Sequence, residues 1–343
     1  MRIAVDAMGG DHAPAEVVRG AVDFLRLSDR DEDAQVVLVG DPAPIEAEVA
    51  LLASLDETFA EGRLLIRPAS QVVGMDEHPM EAVRKKPDSS LVLSISMVRN
   101  GEAEAAFSAG NTGAMMVASM QILDRLVPDI RRPAIATFMP TETGRHTLLV
   151  DAGANVDCRP SHLVSFTLLG TIYAEKALGI VNPRVGVLAN GEEPGKGNDL
   201  SREVHTLLAA NPAVNFIGNV EGNHLFEGRV DVAVCDGFVG NVLLKGAEGV
   251  ARLGLNLLAA EVHAATDPTA RAALARALTH MAARLDYAEV GGAPLLGVNG
   301  VAIIAHGRSN RTAIANGIRQ AARAARSGFT EAVRTTLKES QGS

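Results

Sequence analysis

Short apolar runs recur along the chain, and stretches with helical spacing separate most of them. Most runs are nearly continuous in Val, Ile, Leu and Ala, which is typical of strands covered on both faces. The predicted strands are residues 3–6, 36–39, 64–67, 105–108, 134–138, 147–151, 184–188, 214–217, 232–235, 294–298 and 301–304. The predicted helices include residues 14–27, 42–55, 112–126, 160–177 and 198–209.

This alternation of strands and helices implies right-handed crossovers between parallel strands. It therefore predicts an α/β protein with a three-layer α/β/α, doubly wound fold around a mostly parallel sheet. We expect a single domain over residues 1–330, followed by a C-terminal tail over residues 331–343.

Residues 237–292 depart from the alternation, because they are almost entirely helical in pattern, with a break near Asp267 and Pro268. We expect a helical excursion from the α/β body. An apolar stripe recurs there at helical spacing, at Leu274, Leu278, Met281 and Leu285, and cationic residues lie on its flank at Arg276, His280 and Arg284. Such a stripe suits a lipid surface, but also a dimer or core-packing face, and the pattern alone favours packing.

Composition narrows the function classes. The net charge of −9 and the scarcity of aromatic residues, 3 % with no Trp, argue against general nucleic-acid binding. The N-terminus lacks the pattern of a signal peptide, and charges interrupt every apolar window before 18 residues, so we expect a cytoplasmic protein without a membrane span. Cys158 and Cys235 match no metal-binding spacing, which fits a reducing compartment.

Six predicted strands are followed directly by turns that pair glycine with small polar residues. These turns cover residues 6–12, 109–114, 151–155, 189–198, 236–241 and 306–310. Ligands of parallel sheets bind beyond the carboxyl ends of the strands, where glycine permits close approach and helix N-termini attract anions. We expect all six turns to meet at one edge of the sheet and to bind phosphate or a phosphorylated substrate.

Other common motifs are missing. The turns contain no dinucleotide fingerprint G-x-G-x-x-G followed by an acidic residue, no phosphate loop G-x-x-x-x-G-K-[ST] and no G-x-S-x-G elbow. Glu192 and Glu193 suit either proton transfer or a favourable charge at a helix N-terminus. His12 and His306 suit either a structural role or general acid chemistry.

Several of these motifs together resemble the bacterial phosphate acyltransferase family, the acyl-(acyl carrier protein)–phosphate acyltransferases of phospholipid synthesis. They occur in the expected order over roughly residues 1–330: IAVDAMGGDHAP, SAGNTGA, DAGAN, NGEEPGKGN, VEGN, CDGFVGN, GVNG and AHGRSN. The first of them is the most specific.

The resemblance implies a fold like that of phosphotransacetylases and isocitrate-type dehydrogenases, a homodimer, and no metal or organic cofactor. It implies that an acyl-carrier-protein thioester and inorganic phosphate give acyl phosphate and free carrier protein, for phosphatidic acid and phospholipid synthesis. It also implies peripheral association with the inner face of the cell membrane, where a membrane glycerol-3-phosphate acyltransferase would take the product. The alternatives are a coenzyme A-dependent phosphotransacetylase, a decarboxylating dehydrogenase and a non-catalytic scaffold.

A mechanism consistent with these residues lets phosphate attack the thioester directly, so that the protein supplies position and oxyanion stabilisation. The candidate catalytic residues are His12, Asn155, Lys196, Lys245 and His306. The candidate phosphate- or substrate-binding residues are Asp6, Gly9, Gly10, Asn111, Thr112, Gly113, Gly153, Asn190, Glu192, Asn198, Asp236, Gly237, Gly240, Asn241, Gly307 and Ser309. Two basic runs, residues 84–86 and 131–132, are candidates to receive the acidic carrier protein.

Overall fold

A computed structural model of the chain describes residues 1–27, 33–55, 62–285 and 290–341. Eleven strands are present in the described residues. They are β1 (Arg2–Asp6), β2 (Gln35–Gly40), β3 (Leu64–Pro68), β4 (Ala105–Ser108), β5 (Ala134–Pro140), β6 (His146–Val150), β7 (Val185–Leu188), β8 (Phe216–Val220), β9 (Val232–Val234), β10 (Ala293–Leu296) and β11 (Val301–Ile304). Every predicted strand is found, and only β8 is displaced, by about two residues, from its predicted position.

Helices connect most of the strands. They are α1 (Ala15–Leu27), α2 (Pro42–Ser54), α3 (Pro79–Lys85), α4 (Ser90–Arg99), α5 (Thr112–Ala118), α6 (Pro160–Lys176), α7 (Asp199–Ala209), α8 (Gly222–Glu227), α9 (Gly237–Ala264), α10 (Pro268–Leu285), α11 (Arg311–Arg326) and α12 (Phe329–Gln341). A π-helical turn, Ser119–Leu123, continues α5. The segment predicted to be a tail after residue 330 is thus helical, and it buries Val333 in the core.

All eleven strands form one sheet in the order β3-β2-β1-β4-β11-β10-β5-β6-β9-β7-β8. Most neighbouring pairs are parallel, which confirms the predicted fold class. Helices α1 and α11 cover one face of the first half through Phe24 and Ile314, while α4 and α5 cover the other through Ile95 and Met115. In the second half, α6 contributes Phe166 to a separate core.

The strand direction reverses in the middle of the sheet. β10 runs antiparallel to both of its neighbours, and β5 runs antiparallel to β6. Strands β1, β4 and β11 therefore point one way, and β6, β7 and β9 point the other way. The expectation that all six glycine turns share one sheet edge is wrong, because three turns lie at each edge.

The predicted helical excursion is confirmed by α9 and α10, which pack against each other as a hairpin. Residues 286–289 of the predicted excursion lie outside the described residues. Helix α10 has no buried residue along its length. Among the described helices, none is both long enough and apolar enough to span a bilayer.

Candidate functional site

The three turns of the first half of the sheet pack directly on one another. Gly9 lies so close to Gly110 that a side chain at Gly9 would stand 2.8 Å from the Gly110 nitrogen. Gly10, with a φ of 109°, lies against the Gly307 carbonyl, and Asp11 donates its backbone N–H to that same carbonyl (2.7 Å). The close approach to Gly110 requires glycine at position 9 and brings the turns after β1 and β4 together. The contacts of Gly10 and Asp11 with the Gly307 carbonyl add the turn after β11.

Asp6 lies beneath these turns. Its carboxylate is buried and accepts hydrogen bonds from the Ser108 hydroxyl (2.6 Å) and the Met8 backbone N–H (3.3 Å). Burial raises the pKa of Asp6, and the Ser108 hydrogen bond opposes that rise. The assignment of Asp6 to phosphate binding is therefore corrected, because its oxygens hold the turn and are shielded from a ligand.

Asn111 caps α5 and also anchors a neighbouring loop. Its Oδ1 accepts from the Ala114 N–H (3.0 Å), and its Nδ2 donates to the carbonyls of Gly74 (3.3 Å), Met75 (3.0 Å) and Glu77 (3.0 Å). The amide is buried and fully engaged, so its assignment to phosphate is also corrected. Thr112 remains exposed, and Gly113 packs against Pro79 in the first turn of α5, where helix N–H groups lack intrahelical partners.

The β11 turn carries His306 and Ser309. The Nδ1 of His306 accepts from the Arg308 N–H (3.2 Å), which places the proton of the neutral imidazole on Nε2. The hydroxyl of Ser309 is buried without a hydrogen-bond partner in the described residues. Gly307 stands against the exposed Met75, so the β11 turn also contacts the loop held by Asn111.

In the second half of the sheet, a buried carboxylate organises the turn after β6. Asp151 accepts from the backbone N–H groups of Gly153 (3.1 Å), Ala154 (2.8 Å) and Asn155 (2.8 Å) and from the Ile135 N–H (3.4 Å). Burial raises the pKa of Asp151, and these hydrogen bonds oppose the rise. Asp151 was not among the predicted site residues, although it directly follows an apolar strand.

Asn155 completes this turn. Its Nδ2 donates to Asp151 Oδ2 (2.7 Å) and to the Pro133 carbonyl (2.7 Å), and the side chain is buried. Both amide hydrogens are therefore engaged within the protein. The assignment of Asn155 as a direct catalytic donor is corrected to a role in shaping the loop.

Helix α9 begins against the same loop. Gly237 donates its N–H to the Asn155 carbonyl (2.7 Å), and a side chain there would stand 2.7 Å from the Asn155 nitrogen. Gly240 lies still closer to the Asp151 carbonyl, and Asp236 caps the helix through the Val239 N–H (2.8 Å). One turn along, the exposed Asn241 lies beside Gly153, and its amide has no hydrogen-bond partner in the described residues.

The same helix connects the two halves of the sheet. Lys245, one turn beyond Asn241, lies near enough to His306 for its charge to lower the pKa of the imidazole, after desolvation as the larger cause. Glu248 pairs with Lys245 (2.9 Å) and raises that pKa in opposition. Lys245 of α9 is thus within electrostatic range of His306 in the β11 turn, and both are predicted catalytic residues.

The turn after β7 is built differently. Asn190 Oδ1 accepts from the Gly197 N–H (2.8 Å), and Asn198 caps α7 through the Ser201 N–H (2.9 Å). Glu192 pairs with His224 Nε2 (3.0 Å) and with Arg229 (3.6 Å), so its carboxylate helps to anchor the turn, and its assignment to substrate binding stays a prediction.

Lys196 belongs to this third turn. It is exposed, and its ammonium group forms no ion pair in the part of the chain that the structure describes. Leu188, immediately before the turn, packs in one apolar cluster with Val239 and Leu243 of α9. The turn after β7 therefore begins beside α9, the helix that also carries Asn241 and Lys245.

Three of the predicted anion-binding groups have no protein partner in the described residues. Within the described residues, Asn241, Lys196 and the exposed His12 have side-chain donors that no protein acceptor engages. By contrast, the carboxylates of Asp6, Asp151 and Asp236 are used as acceptors for backbone N–H groups. No cluster of three His, Cys, Asp or Glu side chains suited to a metal ion occurs in the described ranges.

Known proteins share both the sequence and the fold. A family model described as fatty acid synthesis protein matches residues 1–332. A protein named phosphate acyltransferase from Desulforamulus reducens is 46 % identical over 342 residues, covering 100 % of this chain and 99 % of the relative. Another of that name, from Desulfitobacterium hafniense strain DCB-2, is 49 % identical over 340 residues and covers 98 % of each chain.

Solved structures share the fold at much lower identity. A phosphotransacetylase from Streptococcus pyogenes superimposes with a TM-score of 0.61 at 16 % identity, covering 95 % of this chain and 94 % of that one. A 4-hydroxythreonine-4-phosphate dehydrogenase from Klebsiella pneumoniae gives a TM-score of 0.54 at 14 % identity, with 94 % and 97 % covered. At these identities the likeness extends to the fold alone.

Proposed function

The chain belongs to the fatty acid synthesis protein family, as its motifs predicted, and from this premise we propose that it transfers a fatty acyl group onto inorganic phosphate. The donor in this proposal is an acyl carrier protein thioester, and the products are acyl phosphate and free carrier protein. The acyl phosphate would supply phosphatidic acid and phospholipid synthesis. The names of the curated relatives support phosphate as the acceptor.

The observation that carries the proposal is the position of α9. This helix presents Asn241 beside Gly153 of the β6 turn, and one turn further along it carries Lys245, whose charge acts on His306 of the β11 turn. We infer that this cation, this neutral amide and this imidazole face one region between the two halves of the sheet. Such a set binds a phosphate dianion and leaves a donor for a second oxygen atom.

The chemistry needs no protein nucleophile. A phosphate oxygen attacks the thioester carbon, a C–O bond forms, and collapse of the tetrahedral intermediate breaks the C–S bond. Phosphate is already ionised at neutral pH, and a thiolate is a good leaving group. The protein therefore contributes mainly by positioning the reactants and stabilising the oxyanion, and one such donor contributes about 3 kcal/mol.

His306 provides a donor of suitable type in this proposal. Its lowered pKa keeps the imidazole neutral at pH 7, and the Arg308 N–H occupies Nδ1, so the proton of the neutral ring is on Nε2. We assign Nε2–H to the oxyanion and the Lys245 ammonium to the phosphate. Lys196 and His12 are further donors for the phosphate, and Thr112 and Gly113 supply N–H groups at the start of α5.

The assembly and location belong to the same proposal. Helix α9 exposes Val250, Leu253 and Leu257 along one stripe, with 70, 58 and 61 % of each residue accessible. Large apolar stripes of this kind are commonly covered by a partner, and we assign this one to the homodimer.

On α10, Leu274 and Leu278 are half-buried, while Met281 and Leu285 are exposed. We assign this stripe to peripheral contact with the inner face of the cell membrane, close to a membrane glycerol-3-phosphate acyltransferase. The remaining protein would be cytoplasmic. Loss of vesicle binding by Leu278→Glu with an intact dimer is the expected result, and unchanged binding contradicts this assignment.

The reaction is tested by incubating the purified protein with palmitoyl-acyl carrier protein and phosphate, followed by measurement of acyl phosphate and released thiol. We expect phosphate-dependent formation of both products in equal amounts, without added metal or nucleotide. Turnover with acetyl-coenzyme A, and none with the carrier-protein thioester, would instead identify a coenzyme A-dependent phosphotransacetylase. Absence of turnover with both donors contradicts the proposal.

A further inference from the structure

Two basic runs of the sequence are candidates to contact an acidic protein, and the structure separates them. In residues 84–86, Lys85 pairs with Glu81 (2.8 Å), and Lys86 pairs with Glu77 and donates to the Val72 carbonyl (2.7 Å). Two of the three charges are therefore compensated by carboxylates. In the described ranges, neither Arg131 nor Arg132 forms an ion pair.

A third arginine, Arg159, contributes to the same surface as Arg131 and Arg132. It lies 27 residues after Arg132 in the sequence. Arg159 directly precedes α6, and its backbone N–H donates to Nδ1 of His162 in the first turn of the helix (3.2 Å). The charges of Arg132, Arg159 and Arg131 all lower the pKa of His162, after desolvation as the larger cause. The three positive charges therefore act on one imidazole, and all three residues are exposed.

This arginine cluster, Arg131, Arg132 and Arg159, adjoins the turn after β6 (residues 151–155). Arg132 Nη1 donates to the Asp157 carbonyl (3.0 Å), and the following residue, Pro133, accepts the hydrogen bond from Asn155. A neutral carbonyl leaves the charge of Arg132 uncompensated. Val156, between the loop and Arg159, exposes 62 % of its surface and adds an apolar contact.

We infer that the arginine cluster is the docking surface for an acidic carrier protein that delivers the acyl thioester to the proposed phosphate site at Asn241 and Lys245, an inference that rests on the proposed function. An excess of unpaired guanidinium groups attracts an acidic protein surface and forms bidentate pairs with its carboxylates. The position beside Asn155 lets the acyl-bearing arm of the carrier protein enter next to the loop that Asp151 organises. The chain as a whole is acidic, with a net charge of −9, so a local cationic surface also selects the orientation of an acidic partner.

The test compares two charge reversals of equal size. Arg131→Glu/Arg132→Glu alters the arginine cluster, and the matched control, Arg84→Glu/Lys85→Glu, alters the basic run on α3. Steady-state rates are measured with palmitoyl-acyl carrier protein and with palmitoyl-pantetheine, which carries the same thioester without the acidic protein. We expect the KM for the carrier-protein donor to rise about 10-fold or more in the test variant, since charges at an interface mainly control association.

The control variant should stay within about twofold of wild type, and palmitoyl-pantetheine should react equally with all three proteins. Increasing salt should raise the wild-type KM for the carrier-protein donor and narrow its difference from the test variant. Equal KM values for the test and control variants would overturn the inference. If the test variant is unstable, Arg131→Gln/Arg132→Gln and Arg159→Gln provide the same comparison with smaller charge changes.

Two other outcomes have separate meanings. If wild-type protein does not turn over palmitoyl-acyl carrier protein but binds it less tightly after charge reversal, the proposed function fails and the docking surface stands. If charge reversal abolishes binding to vesicles of anionic phospholipid while the KM for the carrier-protein donor is unchanged, the cluster contacts lipid and the inference is overturned.

Discussion

Asn155 donates its side-chain amide to Asp151 across 2.7 Å, and the same carboxylate accepts the Asn155 backbone N–H (2.8 Å). The pair closes the turn after β6, and the Asn155 carbonyl then receives the N–H of Gly237 at the start of α9. The orientation of α9, and with it the positions of Asn241 and Lys245, therefore depends on a buried carboxylate with no direct access to substrate.

This relationship predicts that Asp151→Asn destabilises the protein by about 2–4 kcal/mol, because an amide NH₂ would face backbone N–H groups and leave some without acceptors. Asn155→Ala should lower the free energy of unfolding by about 1–3 kcal/mol, because Asp151 and the Pro133 carbonyl each lose a hydrogen-bond donor. Chemical denaturation of the two single variants and the double variant measures both values. The double variant should lose less than the sum of the single variants, whereas strict additivity would indicate that the two residues act independently.

A second prediction concerns pH. The pKa of His306 lies below its ordinary value of 6.5, so the neutral imidazole persists at pH 7 and becomes charged only as the pH falls through the lowered pKa. If neutral His306 is required, kcat/KM should decline on the acid side of pH 6.5. Lys245→Met removes a positive charge, raises the pKa of His306 and should shift this decline to higher pH.

Glu248→Gln is the opposite control, because it removes the negative charge that raises the pKa of His306. Its acid limb should move to lower pH. The pH dependence of kcat/KM for the three proteins is the measurement. Shifts in the same direction for both variants would exclude His306 as the titrating group, and so would an unchanged profile in His306→Gln.

The sequence predicted every strand, since apolar runs bounded by glycine and polar residues identify buried strands without reference to distant contacts. It missed the reversal of direction, because an apolar run has the same composition in either orientation. One signal was available. Only five residues, 141–145, connect β5 to β6, and a parallel pair requires a crossover of a dozen or more. This short connection indicates an antiparallel pair, and with it the separation of the six turns between two edges of the sheet.

The site was predicted less completely for a related reason. The sequence located Asn111 and Asn155 correctly in the turns. Their amides are engaged in part by groups more than 20 residues away, namely the carbonyls of residues 74, 75 and 77 for Asn111 and the carbonyl of Pro133 for Asn155. Asn241 shares the same local glycine-rich setting and remains unengaged. Local pattern cannot distinguish an asparagine that faces the protein from one that faces a ligand, because tertiary contacts decide the difference.

A third prediction concerns assembly. Leu253→Glu places a charge within the exposed stripe of α9, and we expect the dissociation constant of the homodimer to rise at least about 100-fold, equivalent to about 2.7 kcal/mol. Light scattering after size-exclusion chromatography measures the mass as a function of concentration. Val181→Glu is the matched control, since Val181 is an apolar residue outside the hairpin with 92 % exposure. A monomeric wild-type protein, or equal behaviour of both variants, would contradict the assignment.

The final prediction contrasts Asn111, which caps α5, with Asn241, which lies near the start of α9. Asn241 is exposed without a protein partner in the described chain, so Asn241→Ala should leave the free energy of unfolding within about 0.5 kcal/mol of wild type. It should lower kcat/KM for phosphate about 100-fold if its amide donates to the reacting group. Asn111→Ala should instead cost about 2–4 kcal/mol, because the α5 cap and the contacts to residues 74–77 are lost together.

Paired unfolding and steady-state measurements on the two variants separate support of the site from contact with phosphate. At a temperature where Asn111→Ala remains folded, its loss of activity should follow the loosening of the 74–77 loop, and the KM for phosphate should change less than in Asn241→Ala. The opposite result, a stable Asn111→Ala with a large rise in the phosphate KM and a fully active Asn241→Ala, would move the anion site to the start of α5. In that case the turns after β1 and β4, and not helix α9, would hold the phosphate.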